Sequence, residues 1–212
     1  ETILLHIAGG EGAIEIVDEC GFELLLHSGK VFFYPQRYDI CLKLHKFVIK
    51  QTEKRMDFFE LVQSRRSLRK FSERRVESHT VEKILEAALT APSSRSSRST
   101  HFLVIENKDL IKHMSYMRDY GSAFMAEAPV VVLVMGDKRA TDLWVDNAAI
   151  SATFVQLAAE AAGLGSCWVH VDGREHMKGH PEMGTAESYL RTFLPIPEEF
   201  GVECAIAMGY SP

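Results

Sequence analysis

Residues 129–171 have the sequence PVVVLVMGDKRATDLWVDNAAISATFVQLAAEAAGLGSCWVHV, which predicts two strands joined by the longest helix of the chain. Its first apolar run, Val130 to Met135, is typical of a strand buried in the middle of a sheet. Residues 141–162 predict the longest helix, whose second half is apolar on nearly every side and therefore packs against several partners. Gly163 is the predicted cap at the end of this helix. Residues 166–171 predict the next strand.

Further helices and strands are predicted on both sides of this stretch. An amphipathic helix at residues 80–91 is capped by Ser78 or Thr80 and ended by Pro92. Its apolar residues recur at helical spacing and are Val81, Ile84, Leu85, Ala88 and Leu89. Other helices are predicted at 56–63, 108–117, 122–127 and 185–193, and strands at 101–106 and 202–208. Helices and strands are interspersed without a strict βαβ rhythm, which indicates the α+β class, with one sheet flanked by helices.

The composition excludes several classes of protein. The chain has 212 residues, of which 46% are hydrophobic and 25% charged, so disorder throughout is not expected. It contains no apolar run long enough for a transmembrane helix and no recognisable signal peptide, so we expect no membrane partner. The net charge of -5 argues against a general nucleic-acid binder. The four cysteines are scattered without a CxxC pair, which fits the reducing cytosol and predicts a cytoplasmic location.

The first quarter of the chain differs from the rest. Residues 1–29 contain six acidic residues and no Lys or Arg, whereas residues 30–55 contain seven basic residues and two acidic ones. Residues 43–48 alternate weakly, as a strand or a short amphipathic helix does. We find no motif here, so residues 1–55 are either an extension packed on the main body or sequence upstream of a natural start at Met56. The predicted domains are 1–55 and 56–212.

Two segments combine serines with arginines: SRRSLRKF at 64–71 and PSSRSSRST at 92–100. Arginine forks suit phosphate and carboxylate oxygens, and serine hydroxyls with loop N–H groups add short donors around an anion. Arg65 and Arg69 share a helix face if the first helix continues that far. The segments together could hold a phosphorylated ligand. The alternatives are a solvated basic face with a flexible loop, or non-specific contact with nucleic acid.

The order of the motifs resembles the nitroreductase family of flavin enzymes. The matching stretches are RRSLRKF at 65–71, APSS at 91–94, APVVVLV at 128–134, LWVDNAA at 143–149, GLGSCW at 163–168 and the closing segment 187–210. The resemblance covers Met56 to Pro212. It implies a nitroreductase-like α/β sandwich with a central, mainly antiparallel sheet. It also implies a homodimer with FMN in the interface, formed largely by the long helix. The alternative for that apolar helix is burial inside one monomer.

The resemblance implies an FMN-dependent oxidoreductase with NAD(P)H as co-substrate. Electrons would pass through flavin N5 to an electron-poor acceptor, such as a nitroaromatic or a quinone, by a ping-pong mechanism. The flavin carries the chemistry, so no side-chain acid or base is required and no catalytic residue is assigned. The absence of a GxGxxG motif argues against a tightly held dinucleotide. The alternatives are a non-catalytic flavin- or phosphate-binding module and a relative that uses reduced flavin for another reaction.

The resemblance also assigns cofactor-binding residues by position. Arg65, Arg66 and Ser67 match the motif for the FMN phosphate and ribityl chain, and Arg69 matches the basic residue at the pyrimidine edge. The loop over the ring matches Ser93, Ser94 and Ser96, although Asn is common at 96 and Trp at 100. The segment near N5 matches Gly163, Leu164, Gly165 and Ser166. Family members often have a further basic residue after the position of Ser211. Either the sequence is truncated here or the site has lost one cation, and in the second case we expect weaker FMN binding.

Other residues have two interpretations each. Cys167 is a small buried hydrophobe or a redox thiol. His176 and His180, with His170 near, have ligand spacing, but Gly179 and Pro181 break the helix that would align them, so no metal is expected. The start of the long helix has Trp144, Asp146 and Asn147, which either cap or anchor it, with Asp146 bonding a partner subunit, or form a solvated helix start. Four residues have two interpretations, because they either line an acceptor pocket or fill the core: Met114, Tyr116, Met117 and Met125.

Overall fold

The computed structural model describes residues 8–14, 26–29, 31–35 and 57–212. The strands are β1 Ala8–Ile14, β2 Leu26–Gly29, β3 Val31–Pro35, β4 Thr100–Ile105, β5 Val130–Asp137, β6 Gly165–His170 and β7 Phe200–Gly209. The helices are α1 Phe58–Ser64, α2 Ser78–Leu89, α3 Lys108–Met114, α4 Trp144–Ala161 and α5 Ala186–Leu190, with short 3₁₀ turns at Ser94–Ser96, Ala123–Glu127 and Pro181–Met183. The prediction for residues 43–48 and the proposed start at Met56 lie outside the described residues.

Five strands form one sheet in the order β3-β4-β5-β7-β6, and each neighbouring pair is antiparallel. Strands β1 and β2 pair separately. Strand β7 lies between β5 and β6 and is buried along its whole length. Its register shifts at Glu203, because Val134 pairs with Cys204 whereas Met135 pairs with Val202. A bulge therefore places one extra residue in β7 at that point.

Helices cover both faces of the sheet, as the α+β prediction requires. Apolar residues of α2 and α4 pack with alternate residues of β4, β5 and β7 on one face. Those of α3, the turn Ala123–Glu127 and α5 pack on the other face. Because successive strand residues point to opposite faces, β7 contributes to both cores. The class and the sandwich architecture are confirmed.

Helix α4 is held at both ends by features that its sequence shows. The Trp144 ring lies over Gly136 and Gly201, which face each other across β5 and β7. A Cβ atom on either glycine would come within 2.7 Å of a ring carbon. At the other end Gly163, with φ of 75°, closes the helix as predicted. Its N–H donates to Glu160, and the Leu164 N–H donates to Ala159, the pattern of a Schellman cap.

Several predicted boundaries were wrong. Helix α1 ends at Ser64, and Arg65 is already extended, with ψ of 124°, so Arg65 and Arg69 do not share a helix face. Helices α3 and α5 are shorter than predicted, since the chain turns after Met114 and Leu190. Ser78 and Thr80 do not cap α2 because both lie inside it, after an N-cap at Glu77. Among the described residues, no helix is long and apolar enough to cross a membrane.

Candidate functional site

The arginine segment, residues 65–69, crosses the end of the sheet where β6 begins. Ser67 and Ser166 form a parallel β-bridge, and the Leu68 N–H donates to the Ser166 carbonyl at 3.0 Å. Gly165 permits this approach, because a Cβ atom there would lie 2.7 Å from the Leu68 Cβ. The backbone therefore brings the arginine segment against the start of the GLGS stretch, two regions about 100 positions apart in the sequence.

Three polar side chains of this segment affect the pKa of the Cys167 thiol. Burial raises the pKa of the Cys167 thiol, while Arg69, a hydrogen bond with Ser67, and Arg65 act in the opposite direction. The thiol is 2% exposed and therefore stays protonated near neutral pH, as a small hydrophobe does. This favours the structural interpretation of Cys167 over the redox one. The guanidinium of Arg69 also lies 6.0 Å from the ring centroid of Phe124.

Arg66 has a different role in the described geometry. Its Nη1 donates to the carbonyls of Gln63 at 2.7 Å and Arg65 at 2.8 Å. These are carbonyls at the end of α1, which lack partners within the helix. The Arg66 guanidinium is thus turned towards α1.

Ser166 has an unsatisfied polar group. Its Oγ is buried and finds no hydrogen-bond partner among the described residues. A buried hydroxyl in that state is rare, because an unmade hydrogen bond costs free energy. The arginine segment that pairs beside it carries further guanidinium groups and the Ser67 hydroxyl, and these residue types suit a phosphorylated ligand with polar ring edges, which is the chemistry of FMN. The residues present therefore fit that group.

The serine loop, residues 93–98, lies at the opposite end of the sheet. It leads into β4, whose first residue, Thr100, pairs with Gly136 near the end of β5. Ser166, which pairs with the arginine segment, also pairs with Met208 of β7, and Met208 pairs with Val130 at the start of β5. The arginine segment therefore lies at the same height along the sheet as Val130. A rise of about 3.3 Å per residue separates the two levels by roughly 20 Å. The structure thus does not bring the two serine–arginine segments together within one chain.

Asn147 organises the serine loop, and sequence reasoning missed this role. Its side chain, 2% exposed, accepts a hydrogen bond from the Ser94 N–H at 2.8 Å. Its amide nitrogen donates to the hydroxyls of Ser97 at 3.1 Å and Ser99 at 2.9 Å. Asn147 is therefore neither a helix cap nor part of a solvated helix start. No signal within its own sequence window could have found this role, because its partners lie about 50 positions earlier.

The loop itself has an unusual backbone. Arg95, Ser96 and Arg98 have φ of 51°, 53° and 48°, in the left-handed region that side chains other than glycine rarely adopt. The Arg98 N–H donates to the Ser93 hydroxyl at 3.0 Å. Thr100, where Trp is common in the family, is fully buried and accepts a hydrogen bond from Ser151.

A buried acid lies in the sheet near the end of β6. Glu203 is the bulge residue of β7, and its Oε1 lies 3.5 Å from His170 Nδ1. Burial raises the pKa of Glu203 to about 7, and Asp172 and Asp146 act in the same direction. Burial lowers the pKa of His170, and Arg174 adds to that effect. His170 is therefore largely neutral near pH 7, and Glu203 changes between its neutral and charged forms near that pH.

The remaining candidates have structural contacts. Met114, Met117 and Met125 are fully buried in the core, whereas Tyr116 is exposed. His176 bonds the Met117 carbonyl through Nδ1 at 3.0 Å and stacks on Tyr189, and His180 contacts Glu182. Asp146 is exposed at the start of α4. In the described ranges, no three His, Cys, Asp or Glu residues are grouped so that they could hold a metal ion.

Comparison with known proteins gives consistent matches. A family model described as "Nitroreductase family" matches residues 62–210. A relative from Methanothermobacter thermautotrophicus, provisionally named NADH dehydrogenase/NAD(P)H nitroreductase, is 32% identical over 159 residues, covering 74% of this chain and 78% of the relative. An FMN-dependent nitroreductase structure from Clostridium difficile has a TM-score of 0.67 and 38% identity, covering 71% of this chain and 86% of that one. A structure from Desulfovibrio desulfuricans, provisionally named a nitroreductase and in complex with FMN, has a TM-score of 0.58 and 27% identity, with coverages of 72% and 84%.

The raised pKa of Glu203 predicts a pH-dependent stability effect. Between its ordinary pKa of 4.5 and about 7, the folded state binds this proton more tightly than the unfolded state. The free energy of unfolding of the wild type therefore loses this contribution as pH rises through that window. Glu203→Gln has no such loss. The difference in free energy of unfolding, Glu203→Gln minus wild type, should therefore increase by roughly 2–3 kcal/mol between about pH 4 and pH 8.

Urea unfolding at a series of pH values measures this difference. Glu198→Gln, at an exposed glutamate, is the control and should show a nearly constant difference from wild type. A Glu203→Gln difference that does not change with pH would contradict the assignment of a buried, protonated carboxyl.

Proposed function

Since the chain belongs to the nitroreductase family, we propose that it is an FMN-dependent oxidoreductase that takes electrons from NAD(P)H and passes them to a small electron-poor acceptor. A nitroaromatic or a quinone has the required chemistry. The two substrates would use the same place in turn, which gives ping-pong kinetics. When bound, FMN supplies the hydride chemistry that side chains lack.

One observation carries the proposal: backbone pairing of the arginine segment with Ser166 brings Arg65, Ser67 and Arg69 to the place where β6 begins. Arg65 and Ser67 would hold the phosphate and ribityl chain. Arg69 would place a positive charge near the pyrimidine edge, where negative charge accumulates on reduction. Gly163, Leu164 and Gly165 belong to the same stretch and permit close backbone approach. Arg66 would support this site from the end of α1, because its guanidinium faces that helix.

The second part of the proposal is a homodimer with FMN in the interface. The serine loop, with Ser93, Ser94 and Ser96, lies roughly 20 Å along the sheet from the arginine segment, as the strand rise gives. A second copy of the chain could bring its serine loop to the arginine segment of the first. One FMN would then contact both segments without any change in the fold of either chain.

Exposed apolar side chains support that interface. Within the part of the chain that the structure describes, α1 buries none of its residues. Phe58 is 59% exposed, Phe59 69% and Val62 40%, and Ile150 on α4 is 38% exposed. Because α1 and α4 are in contact, these side chains lie on adjoining helices. Exposed apolar patches of this kind mark sites of association.

Two further expectations remain proposals. We propose that residues 56–212 form the FMN-binding domain, while residues 1–55 extend it. Strand β3 of the extension pairs with β4, with Val31 opposite Ile105 at one end and Pro35 opposite His101 at the other. It thus adds one strand at the edge of the sheet. The cytoplasmic location still rests on the scattered cysteines.

Visible absorption of the purified protein tests the function directly. We expect the yellow spectrum of bound oxidised flavin, which should bleach on anaerobic addition of NADPH or NADH and return on addition of a nitroaromatic or quinone. Colour without bleaching would favour the non-catalytic binding module. A colourless protein that also fails to take up added FMN would overturn the flavin assignment.

Arg65→Gln tests whether the arginine segment beside β6 binds FMN. Loss of one charge-assisted hydrogen bond costs roughly 1.5–3 kcal/mol, so the dissociation constant for FMN should rise by about one to two decades. Quenching of flavin fluorescence during titration measures this constant. Lys70→Gln, which removes a neighbouring exposed charge, is the matched control and should change affinity by less than about threefold. Equal effects of the two variants would show that only general charge matters.

Phe59→Glu tests the homodimer. A buried, unpaired carboxylate disfavours association, so the variant should elute as a monomer while the wild type is a dimer in light scattering coupled to gel filtration. FMN affinity should fall with the dimer, because the site would lose the partner's serine loop. Tyr120→Glu, at another exposed aromatic, should leave both properties unchanged. A monomeric variant with wild-type FMN affinity would place the whole site inside one chain.

A further inference from the structure

We propose that Asn147 is a positioning residue for the flavin site, which holds the serine loop in the conformation that meets the cofactor. The inference rests on the proposed function for its purpose, although the positioning itself can be measured without FMN. Asn147 is not among the residues that the family pattern assigned to the site. The argument comes from the backbone of the loop and from the contacts of one buried amide.

The serine loop needs an external support. Three of its residues, Arg95, Ser96 and Arg98, are left-handed within four positions, and none is glycine. Such a backbone persists only where surrounding contacts over-determine it. Within the loop, the Ser96 N–H donates to the Ser93 carbonyl, and the Ser97 N–H donates to the Ser94 carbonyl. These local bonds form one short turn and do not attach it to the body of the protein.

Asn147 supplies the attachment at both sides of the turn. Its carbonyl oxygen accepts from the Ser94 N–H, and its amide nitrogen donates to Ser97 and to Ser99, which begins the approach to β4. The Ser94 N–H can only donate, so it fixes which end of the amide faces it. A single buried side chain thus uses one acceptor and two donors on three loop positions. Alanine at 147 would leave the Ser94 N–H and two hydroxyls without this partner.

Asn147 also connects the loop to the surface proposed for the partner subunit. It lies on α4 one turn before Ile150, which is exposed. If a second copy packs on that side of α4, the same helix sets the position of the interface and of the serine loop. The loop would then be presented to the partner's FMN in a fixed place.

Ser151 provides a matched control on the same helix. It is also buried, one turn after Asn147, and its hydroxyl donates to Thr100 at 3.3 Å. Its removal therefore deletes a buried polar contact between α4 and β4 without touching the turn at 94–97. A general loss of stability would appear in Ser151→Ala as well, whereas a loss of loop position would appear only at 147.

Hydrogen–deuterium exchange of the full chain, without FMN, is the first measurement. In Asn147→Ala, peptides covering residues 93–99 should exchange about tenfold faster or more, because the Ser94 N–H loses its acceptor. In Ser151→Ala, the same peptides should exchange within about twofold of wild type. Asn147→Asp keeps an acceptor for Ser94 and should lie between alanine and wild type. It also carries the test if the alanine variant does not fold.

FMN titration is the second measurement. The dissociation constant should rise about tenfold or more in Asn147→Ala and stay within about twofold in Ser151→Ala at a comparable loss of melting temperature. Unchanged exchange at 93–99 would overturn the proposal, as would faster exchange with unchanged FMN affinity in a wild type that binds FMN. A wild type that binds no FMN would instead overturn the proposed function, which separates the two failures.

Discussion

The site depends on the contact between the arginine segment and the first residues of β6. Leu68 can donate its N–H to the Ser166 carbonyl only because Gly165 leaves room for the Leu68 side chain. That bond places Ser67 beside Ser166 and brings Arg65 and Arg69 to the start of β6 on the same segment. The donors are therefore held by backbone pairing with a strand of the central sheet. A site supported in this way needs little reorganisation to accept an anion.

The antiparallel sheet imposes a second constraint on the site. Its strands are long enough to keep the arginine segment and the serine loop at opposite ends, and their pairing prevents either from moving towards the other. A ligand that needs both segments must therefore obtain one of them from another molecule. The uncovered apolar side chains of α1 and α4 indicate where that molecule would pack. In the proposed homodimer, the length of the strands would thus link the fold to the assembly.

Elements with a strong periodic pattern could be predicted from the sequence, and those that depend on tertiary contacts could not. The apolar spacing of α2 and the uninterrupted run of β5 fix those elements locally. The end of α1 at Ser64 depends instead on the chain leaving the helix at Arg65 so that Ser67 can pair with Ser166 of β6, which no local pattern shows. Likewise, Glu203 has the neighbours of an ordinary strand residue, and only the bulge reveals a buried carboxyl.

The same distinction applies to the residues of the site. Arginines and serines in short motifs can be recognised because their chemistry is apparent without a structure. The contacts of Asn147 with the serine loop could not be predicted, since this amide in an alanine-rich helix has no partner within its own sequence window. Its partners lie about 50 positions earlier and meet it only after α4 packs on the sheet. Trp144 fixes the start of α4 over two glycines, and Asn147 follows less than one turn later. The packing of the Trp144 ring on the sheet therefore helps to determine the position of the serine loop, in addition to the sequence of the loop itself.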